Sequence, residues 1–163
     1  MDAIEAIKNR RSIRKYSNKE ISQDILKDIV DCARLAPSAN NIQPCEFVVI
    51  TNKIKLREIS EITDYGKFIE NAVACIIVAC KEAKYYLEDG CAATENILVA
   101  AKAYDIGSCW VAGDKKPYAG EILKLLEFPQ GYKLVSIIPL GYPNEAPKPM
   151  KRYLNEVLHL EKF

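Results

Sequence analysis

The sequence predicts a β-sheet covered on both faces by helices, within a single domain of 163 residues. The strongest observation is the run Val73–Cys80, which is apolar throughout and is typical of a central strand with no side facing solvent. Two shorter apolar runs, Phe47–Ile50 and Leu134–Leu140, predict further strands. The segment from Lys84 to Tyr104 carries apolar residues at helical spacing and several alanines, which predicts a long helix packed on that sheet.

The chain begins with a short predicted helix. Asp2 followed by Glu5 is typical of a capping pair at a helix N-terminus. Ala3, Ile4 and Ile7 then supply one apolar stripe of this helix. A basic cluster follows directly after it.

Further helix boundaries are marked by capping side chains, proline and glycine. Ser22 predicts the N-cap of a second helix, which Pro37 ends. The segment Lys53–Asn71 has helical patterning and connects two strands. We expect Gly107 to close the long helix and Pro117 to start the last one.

The charge balance does not favour binding of nucleic acid or an anionic membrane through the overall field. Lysine and arginine together number 23 against 22 aspartate and glutamate residues, which gives a formal net charge of +1. Recognition of an anion must then be local. No window has the apolar length of a membrane span and the N-terminus lacks the core of a signal peptide, so we expect a cytoplasmic protein.

Six cysteines are a rich supply for this length, but we expect neither disulfides nor a metal cluster. Without a secretion signal the thiols should lie in a reducing compartment. No C-x-x-C motif is present, and Cys75 and Cys80 should point to opposite faces of one strand. Most of these residues are expected to be small core residues. The six cysteines are Cys32, Cys45, Cys75, Cys80, Cys91 and Cys109.

The basic cluster predicts a local anion site. In an extended segment Arg10, Ser12 and Arg14 would share one face, whereas Arg11 and Ile13 would share the other. Guanidinium groups match phosphate oxygens bidentately and stay charged at any working pH, so a phosphomonoester would suit this face. A basic run is also typical of solvated surface, and the cluster alone leaves both interpretations open.

A second candidate is the loop Pro37–Pro44, which leads directly into a predicted strand. Its prolines lower the entropy cost of fixing it, and its serine, asparagine and glutamine side chains suit the carbonyl and imide edge of a heterocycle. An ordinary Asx-rich turn explains the same composition equally well.

The tail Asn144–Phe163 is rich in proline, then basic, then apolar and aromatic. Its apolar end predicts a partner surface. His159, the sole histidine, is expected to lie at a contact rather than to act in catalysis.

Together these segments resemble the FMN-dependent nitroreductase family in order and spacing. The matching motifs are Arg10–Arg14, Pro37–Pro44, Gly107–Gly113 and the closing pair Gly141–Pro143 and Lys151–Arg152. The resemblance covers nearly the whole chain. It implies an α+β fold with a mixed, mostly antiparallel sheet, a long central helix, and an intertwined homodimer that binds one FMN at each of two interfacial sites.

The resemblance also implies cofactor-binding roles for individual positions. The ribityl and phosphate end would be held by Arg10, Arg11, Ser12 and Arg14, with Lys151 and Arg152 arriving from the tail. The flavin would be reached, commonly from the other subunit, by Pro37, Ser38, Ala39, Asn41 and Gln43. Backbone amides at the turn of Ala112 and Gly113 would face N5 and O4 of the ring.

The implied function is an NAD(P)H-dependent FMN oxidoreductase that reduces nitroaromatics, quinones or similar flat acceptors with ping-pong kinetics. No catalytic side chain is required, since flavin N5 carries the chemistry. An FMN-binding carrier or sensor without NAD(P)H turnover is the alternative. The chain is short for the family between Phe47 and Val73, so we expect a more open substrate pocket. Cys45 and Cys109 near the site are either flavin-adjacent thiols or packing residues.

Overall fold

The computed structural model describes residues 1–163 and contains five α-helices and five strands. The helices are α1 Ala3–Asn9, α2 Gln23–Arg34, α3 Lys53–Ile62, α4 Tyr86–Ala103 and α5 Ala119–Leu125. The strands are β1 Cys45–Ile50, β2 Ala74–Lys81, β3 Gly107–Ser108, β4 Val111–Ala112 and β5 Tyr132–Gly141. Short 3₁₀ helices span Ala39–Asn41, Lys67–Asn71 and Leu154–Glu156.

The sheet has the order β1-β2-β5-β3, and β4 also pairs with β5. Every pair of strands is antiparallel, and the one parallel link is an isolated bridge between Ser12 and Ser108. The α+β fold with a mixed, mostly antiparallel sheet is therefore confirmed.

Helices cover the sheet on both faces, as the apolar run of β2 predicts. On one face α2 and α4 build a core with the strands, including Leu26, Ile29 and Ile97. On the other face α3 and α5 build a second core. Cys75 belongs to the second core and Cys80 to the first, so the prediction that they point to opposite faces is confirmed.

The helix starts predicted at Asp2 and Ser22 agree with the structure, the last helix begins two residues after Pro117 at Ala119, and one predicted helix end is wrong. The Asp2 carboxylate accepts from the Glu5 amide at 2.8 Å, and the Ser22 hydroxyl accepts from the Ile25 amide at 3.3 Å. Helix α4, however, ends at Ala103, and Asp105 takes the left-handed conformation there with φ 57°. Gly107 instead belongs to β3, where a Cβ atom would come within 2.8 Å of Ile13.

The apolar stripe of α1 and the tail face outward in the single chain. Only Ala6 of α1 is buried, whereas Ile4 and Ile7 are 62% and 56% exposed. Every residue from 148 to 163 is exposed. All six cysteines are free, and none of the helices has the length and apolar character needed to cross a bilayer.

Candidate functional site

The backbone of the basic segment is built into the edge of the sheet. On one side the Ile13 amide donates to the Ser108 carbonyl of β3 at 2.9 Å. On the other side the Ser17 amide donates to the Tyr142 carbonyl at 2.9 Å, just after β5. The motifs that lie far apart in the sequence therefore meet at this edge.

Side chains reinforce this position of the basic segment. The amides of Arg14 and Lys15 both donate to the Glu145 carboxylate. Tyr16 is buried beneath the segment and donates its hydroxyl to the Ile13 carbonyl at 2.6 Å, and burial raises its pKa. Gly141 lies so close that a Cβ atom there would come within 2.8 Å of Tyr16. The segment is thus held rigidly before any ligand arrives.

The three arginines do not separate as the alternation predicts: Arg10 and Arg11 both line the cleft described below, whereas Arg14 does not and its guanidinium carbon lies 5.8 Å from the Phe68 ring centre. Burial raises the pKa of the Cys109 thiol, while the positive charges of Arg14 and Arg10 and a hydrogen bond from Ser12 oppose that rise. Arg11 points back, because its guanidinium donates to the Lys8 and Arg10 carbonyls at 2.9 and 2.7 Å. The structure therefore gives Arg11 a capping role at the end of α1.

A cleft of about 300 Å³ opens beside the basic segment. Positive side chains in its lining are Arg10, Arg11, Lys102 and Lys148. Lys102 at the end of α4 and Lys148 in the tail are residues that the sequence-based assignment missed; Lys148 belongs to the basic group of the tail, which was its only signal.

Two polar groups at this cleft have few interactions with the rest of the protein. The Ser108 hydroxyl is buried and makes no hydrogen bond, although Ser108 lines the cleft. Arg10 has only a long ion pair, 3.8 Å from its Nε to Glu95. Both groups remain available to an anionic or polar ligand.

Lys151 and Arg152 do not join the cleft in the single chain. Both are exposed, and the Arg152 guanidinium donates to the Glu156 carbonyl within the tail at 2.6 Å. Neither lines the cleft beside Arg10. Within one protomer the structure does not bring the arginines of the two chain ends together.

The turn after β4 has one engaged and one free amide. The Gly113 amide donates to the Val135 carbonyl at 3.1 Å, so it is engaged within the sheet. This bond makes Ala112 and Ser136 a non-hydrogen-bonded pair, in which the Ala112 amide points away from β5. Gly113 is required by packing, because a Cβ atom there would lie 2.5 Å from Leu134. Ala112 is therefore the residue at this turn whose amide can meet a ligand.

The loop from Pro37 to Pro44 is held in an unusual conformation by a buried acid. Asn40, Asn41 and Gln43 all have left-handed φ values of 52°, 55° and 54°. The Ala39 amide donates at 3.0 Å to Asp89, which is only 7% exposed on α4. Sequence analysis missed Asp89, whose signal is a lone acid on the otherwise apolar face of α4.

The exposed loop residues include Pro37, Asn41 and Gln43, while Ser38 and Ala39 are half-buried. The Gln43 amide donates to the Ser38 hydroxyl at 2.9 Å. Asp89, which anchors the loop, and Lys102, which lines the cleft, both lie on α4. They are separated by about 20 Å along the helix axis. The loop and the cleft share no lining residue, so one chain presents them as separate surfaces.

Comparisons with known proteins agree with this architecture. A profile described as the Nitroreductase family matches residues 7–84 and 65–142. A protein of Methanothermobacter thermautotrophicus, provisionally named NADH dehydrogenase/NAD(P)H nitroreductase, is 36% identical over 169 residues, covering 100% of this chain and 88% of that protein.

Solved structures give the same answer. An FMN-dependent nitroreductase from Clostridium difficile R20291 has a TM-score of 0.92 at 30% identity, covering 98% of this chain and 99% of that one. A provisionally assigned nitroreductase from Desulfovibrio desulfuricans, solved in complex with FMN, has a TM-score of 0.88 at 29% identity, covering 100% and 98%. The profile, the relative and the fold agree, and this chain belongs to the nitroreductase family.

Proposed function

We propose that this protein is an FMN-dependent oxidoreductase that uses NADH or NADPH to reduce nitroaromatics, quinones or similar flat acceptors. The observation that carries the proposal is the cleft of about 300 Å³ beside the basic segment, which is lined by Arg10, Lys102 and Lys148 and by the unpartnered Ser108 hydroxyl. The FMN complex of the Desulfovibrio desulfuricans relative supports the choice of cofactor.

The residues present fit FMN. A phosphate dianion needs several positive donors, which Arg10, Lys102 and Lys148 supply at the cleft. The unpartnered Ser108 hydroxyl is a buried polar group that a ribityl chain or phosphate would satisfy. The outward amide of Ala112 is a donor for a ring nitrogen or carbonyl.

The complete site requires a homodimer in this proposal. The loop anchored at Asp89 and the cleft lie apart in one chain, and a second chain would bring its own loop to the cleft. The exposed tail, with Leu160 and Phe163 at 76% and 105% exposure, is an apolar surface that a partner would cover. Lys151 and Arg152 would then reach the phosphate from the partner's side of the interface.

When bound, FMN would supply a ring nitrogen, N5, that accepts a hydride from NAD(P)H and returns electrons to an acceptor. The protein's residues bind and orient. Arg10 would hold the phosphate end, and Arg14 would add positive charge from the same segment. The Ala112 amide would donate a hydrogen bond to the ring where negative charge grows on reduction, and its small side chain would leave room for stacking. Donor and acceptor would use that face in turn, which predicts ping-pong kinetics.

An open pocket for flat acceptors is part of the proposal. The chain between β1 and β2 contains only α3 and a short 3₁₀ helix. Tyr65 in this connection is 82% exposed, and the Phe68 ring lies 5.8 Å from the Arg14 guanidinium carbon. The exposed Tyr65 ring suits stacking with a planar substrate, whereas Phe68 packs against the core and under Arg14.

The test begins with the absorbance spectrum of the purified protein and a titration with FMN. We expect a yellow protein, or saturable FMN uptake, and rapid loss of flavin absorbance at about 450 nm on anaerobic mixing with NADH or NADPH. FMN uptake without bleaching by either nucleotide would favour the carrier or sensor. A colourless protein with no uptake would contradict both.

A further inference from the structure

Two cysteines that the proposed function does not use lie side by side on neighbouring strands. Cys45 of β1 and Cys80 of β2 are partners in the antiparallel register, and their Sγ atoms are 2.7 Å apart. The Lys81 amide donates to the Pro44 carbonyl at 2.9 Å, so the two cysteines form a non-hydrogen-bonded pair. Cα atoms in such a pair are about 4.5 Å apart, which is within the range that a disulfide spans.

The two thiols differ in access. Cys45 is half-buried and lines a cleft of about 160 Å³ together with Ser38 and Gln43 of the loop. Cys80 is fully buried under α4, where a Cβ atom on Gly90 would come within 3.0 Å of its sulfur. A small molecule in the cleft therefore reaches Cys45 first, and Cys80 stands behind it.

The two thiols share one hydrogen bond, in which either sulfur could be the donor. The hydrogen bond between the two thiols lowers the pKa of Cys45 and raises that of Cys80. Burial and the charges of Asp89 and Glu46 oppose the lowering at Cys45. Because the thiolate is the nucleophile and Cys45 is the sulfur that the cleft exposes, Cys45 reacts first and the buried Cys80 resolves.

We propose that Cys45 and Cys80 are a peroxide-sensitive pair that closes to a reversible cross-strand disulfide. The Cys45 thiolate sulfur attacks one oxygen of a hydroperoxide, the O–O bond breaks, and the other oxygen leaves as water or an alcohol once it is protonated. The Cys80 sulfur then attacks the sulfenic sulfur of Cys45, the S–O bond breaks, and the hydroxyl leaves as water with the proton of the Cys80 thiol. The two thiols lose two electrons and the peroxide gains them; a dithiol reductant reverses the step by exchange.

A third thiol, Cys91, is the competing partner. Its pKa is raised by burial and, to a smaller extent, by the nearby Cys45. Cys91 lies on helix α4, so it is not paired with Cys45 across two strands as Cys80 is. No group of three or more ligating side chains is placed to hold a metal ion. The register favours Cys80.

The disulfide would fasten the end of the loop that the proposed function assigns to the flavin. Cys45 is the first residue of β1, directly after Pro44. A covalent link to β2 at that point restricts the unfolded chain, so oxidation should raise the Tm by about 5–10 °C. The thiol chemistry itself does not depend on flavin binding, and its test does not require activity.

The test uses the full-length protein as purified and fully reduced, treated with a small molar excess of hydrogen peroxide. Remaining thiols are blocked in denaturant, and peptides are mapped by mass spectrometry without reduction. We expect two of the six thiols to be lost, one cross-linked peptide pair joining Cys45 to Cys80, and full return of the thiols after dithiothreitol. Cys91→Ser is the matched control and should form the same cross-link.

Cys45→Ser should lose no thiol pair at the dose that oxidises the wild type and should show no rise in Tm. A cross-link from Cys45 to Cys91, or between two chains, would overturn the assignment of the pair. So would a protein whose other thiols oxidise while Cys45 and Cys80 stay reduced.

Discussion

The basic segment Arg10–Tyr16 and the tail Asn144–Phe163 have similar sequence signals and opposite structural states. Both carry clustered positive charge, and in our proposal both bind the phosphate of the cofactor. The basic segment is hydrogen-bonded to β3 and to the residues after β5, with Ile13 and Tyr16 buried beneath it. In the tail, every residue beyond Pro147 is exposed, and the bonds of Arg152 and Tyr153 stay within it.

The difference shows what fixes a binding residue in place. The basic segment is positioned by its own chain, because backbone groups of the sheet edge leave it one register. The tail has no such partner within its own protomer, and its apolar side chains have nothing to cover them. In our proposal the second protomer supplies that partner, so the two basic groups meet only in the dimer.

Among the variants that we propose, removal of residues 148–163 should have the largest effect on FMN affinity. The truncated chain should lose FMN binding by ~100-fold or more, about 3 kcal/mol, because it loses Lys148, Lys151 and Arg152 together with the surface that pairs the protomers. FMN titration and the molecular mass in solution measure the two effects. The core should survive, since none of the removed residues is buried.

Circular dichroism of the truncated chain is the control, and its far-UV spectrum should be close to that of the full-length chain. A truncated chain that remains dimeric and binds FMN as tightly as the full-length chain would remove the tail from the site.

Sequence alone predicted the parts of this molecule that local patterns specify. The caps at Asp2 and Ser22 and the buried strand β2 follow from residue types at fixed spacing. The end of α4 was mispredicted, because the glycine that resembles a helix terminator is required instead by the approach of Ile13. A close contact between distant segments leaves no local signal.

The candidate site also contains features that local patterns predict and features that depend on distant contacts. Alternation grouped Arg10 with Arg14, but in the structure Arg10 and Arg11 line the cleft and Arg14 does not. The engaged amide of Gly113 and the anchor at Asp89 were beyond reach, since the first depends on the register of β4 on β5 and the second on a bond to the distant Ala39. Both depend on tertiary contacts between segments that are distant in the sequence.

Arg10→Ala and Arg14→Ala test whether the basic segment, the ordered one of the two regions, binds the phosphate. Each should weaken FMN binding by about 1.5–3 kcal/mol, because each removes a charge-assisted contact to the phosphate. Fluorescence titration with FMN measures the change. Arg57→Ala removes an equally charged but 72% exposed side chain on α3 and is the matched control. Unchanged affinity in both variants would exclude a phosphate role for this face.

Asp89→Ala asks whether the loop, like the basic segment, is fixed by its own chain. The substitution leaves the Ala39 amide without its acceptor, so the free energy of unfolding should fall by about 1–3 kcal/mol. Denaturant unfolding measures this loss, and Glu88→Ala on the exposed side of α4 should be near neutral. If Asp89→Ala were as stable as Glu88→Ala, the carboxylate would not be the anchor of the loop.

The smallest effect is expected for Arg11→Ala, which tests whether charge or position matters within the basic segment. Its guanidinium bonds to the Lys8 and Arg10 carbonyls at the end of α1, so its loss should lower the free energy of unfolding by about 0.5–1 kcal/mol. FMN affinity should change by less than in Arg10→Ala, although both variants lose the same charge. Denaturant unfolding and FMN titration on the same preparations separate the two roles. Equal losses of FMN affinity in Arg10→Ala and Arg11→Ala would mean that the cofactor responds to the total charge of the segment, not to the contacts that each guanidinium makes.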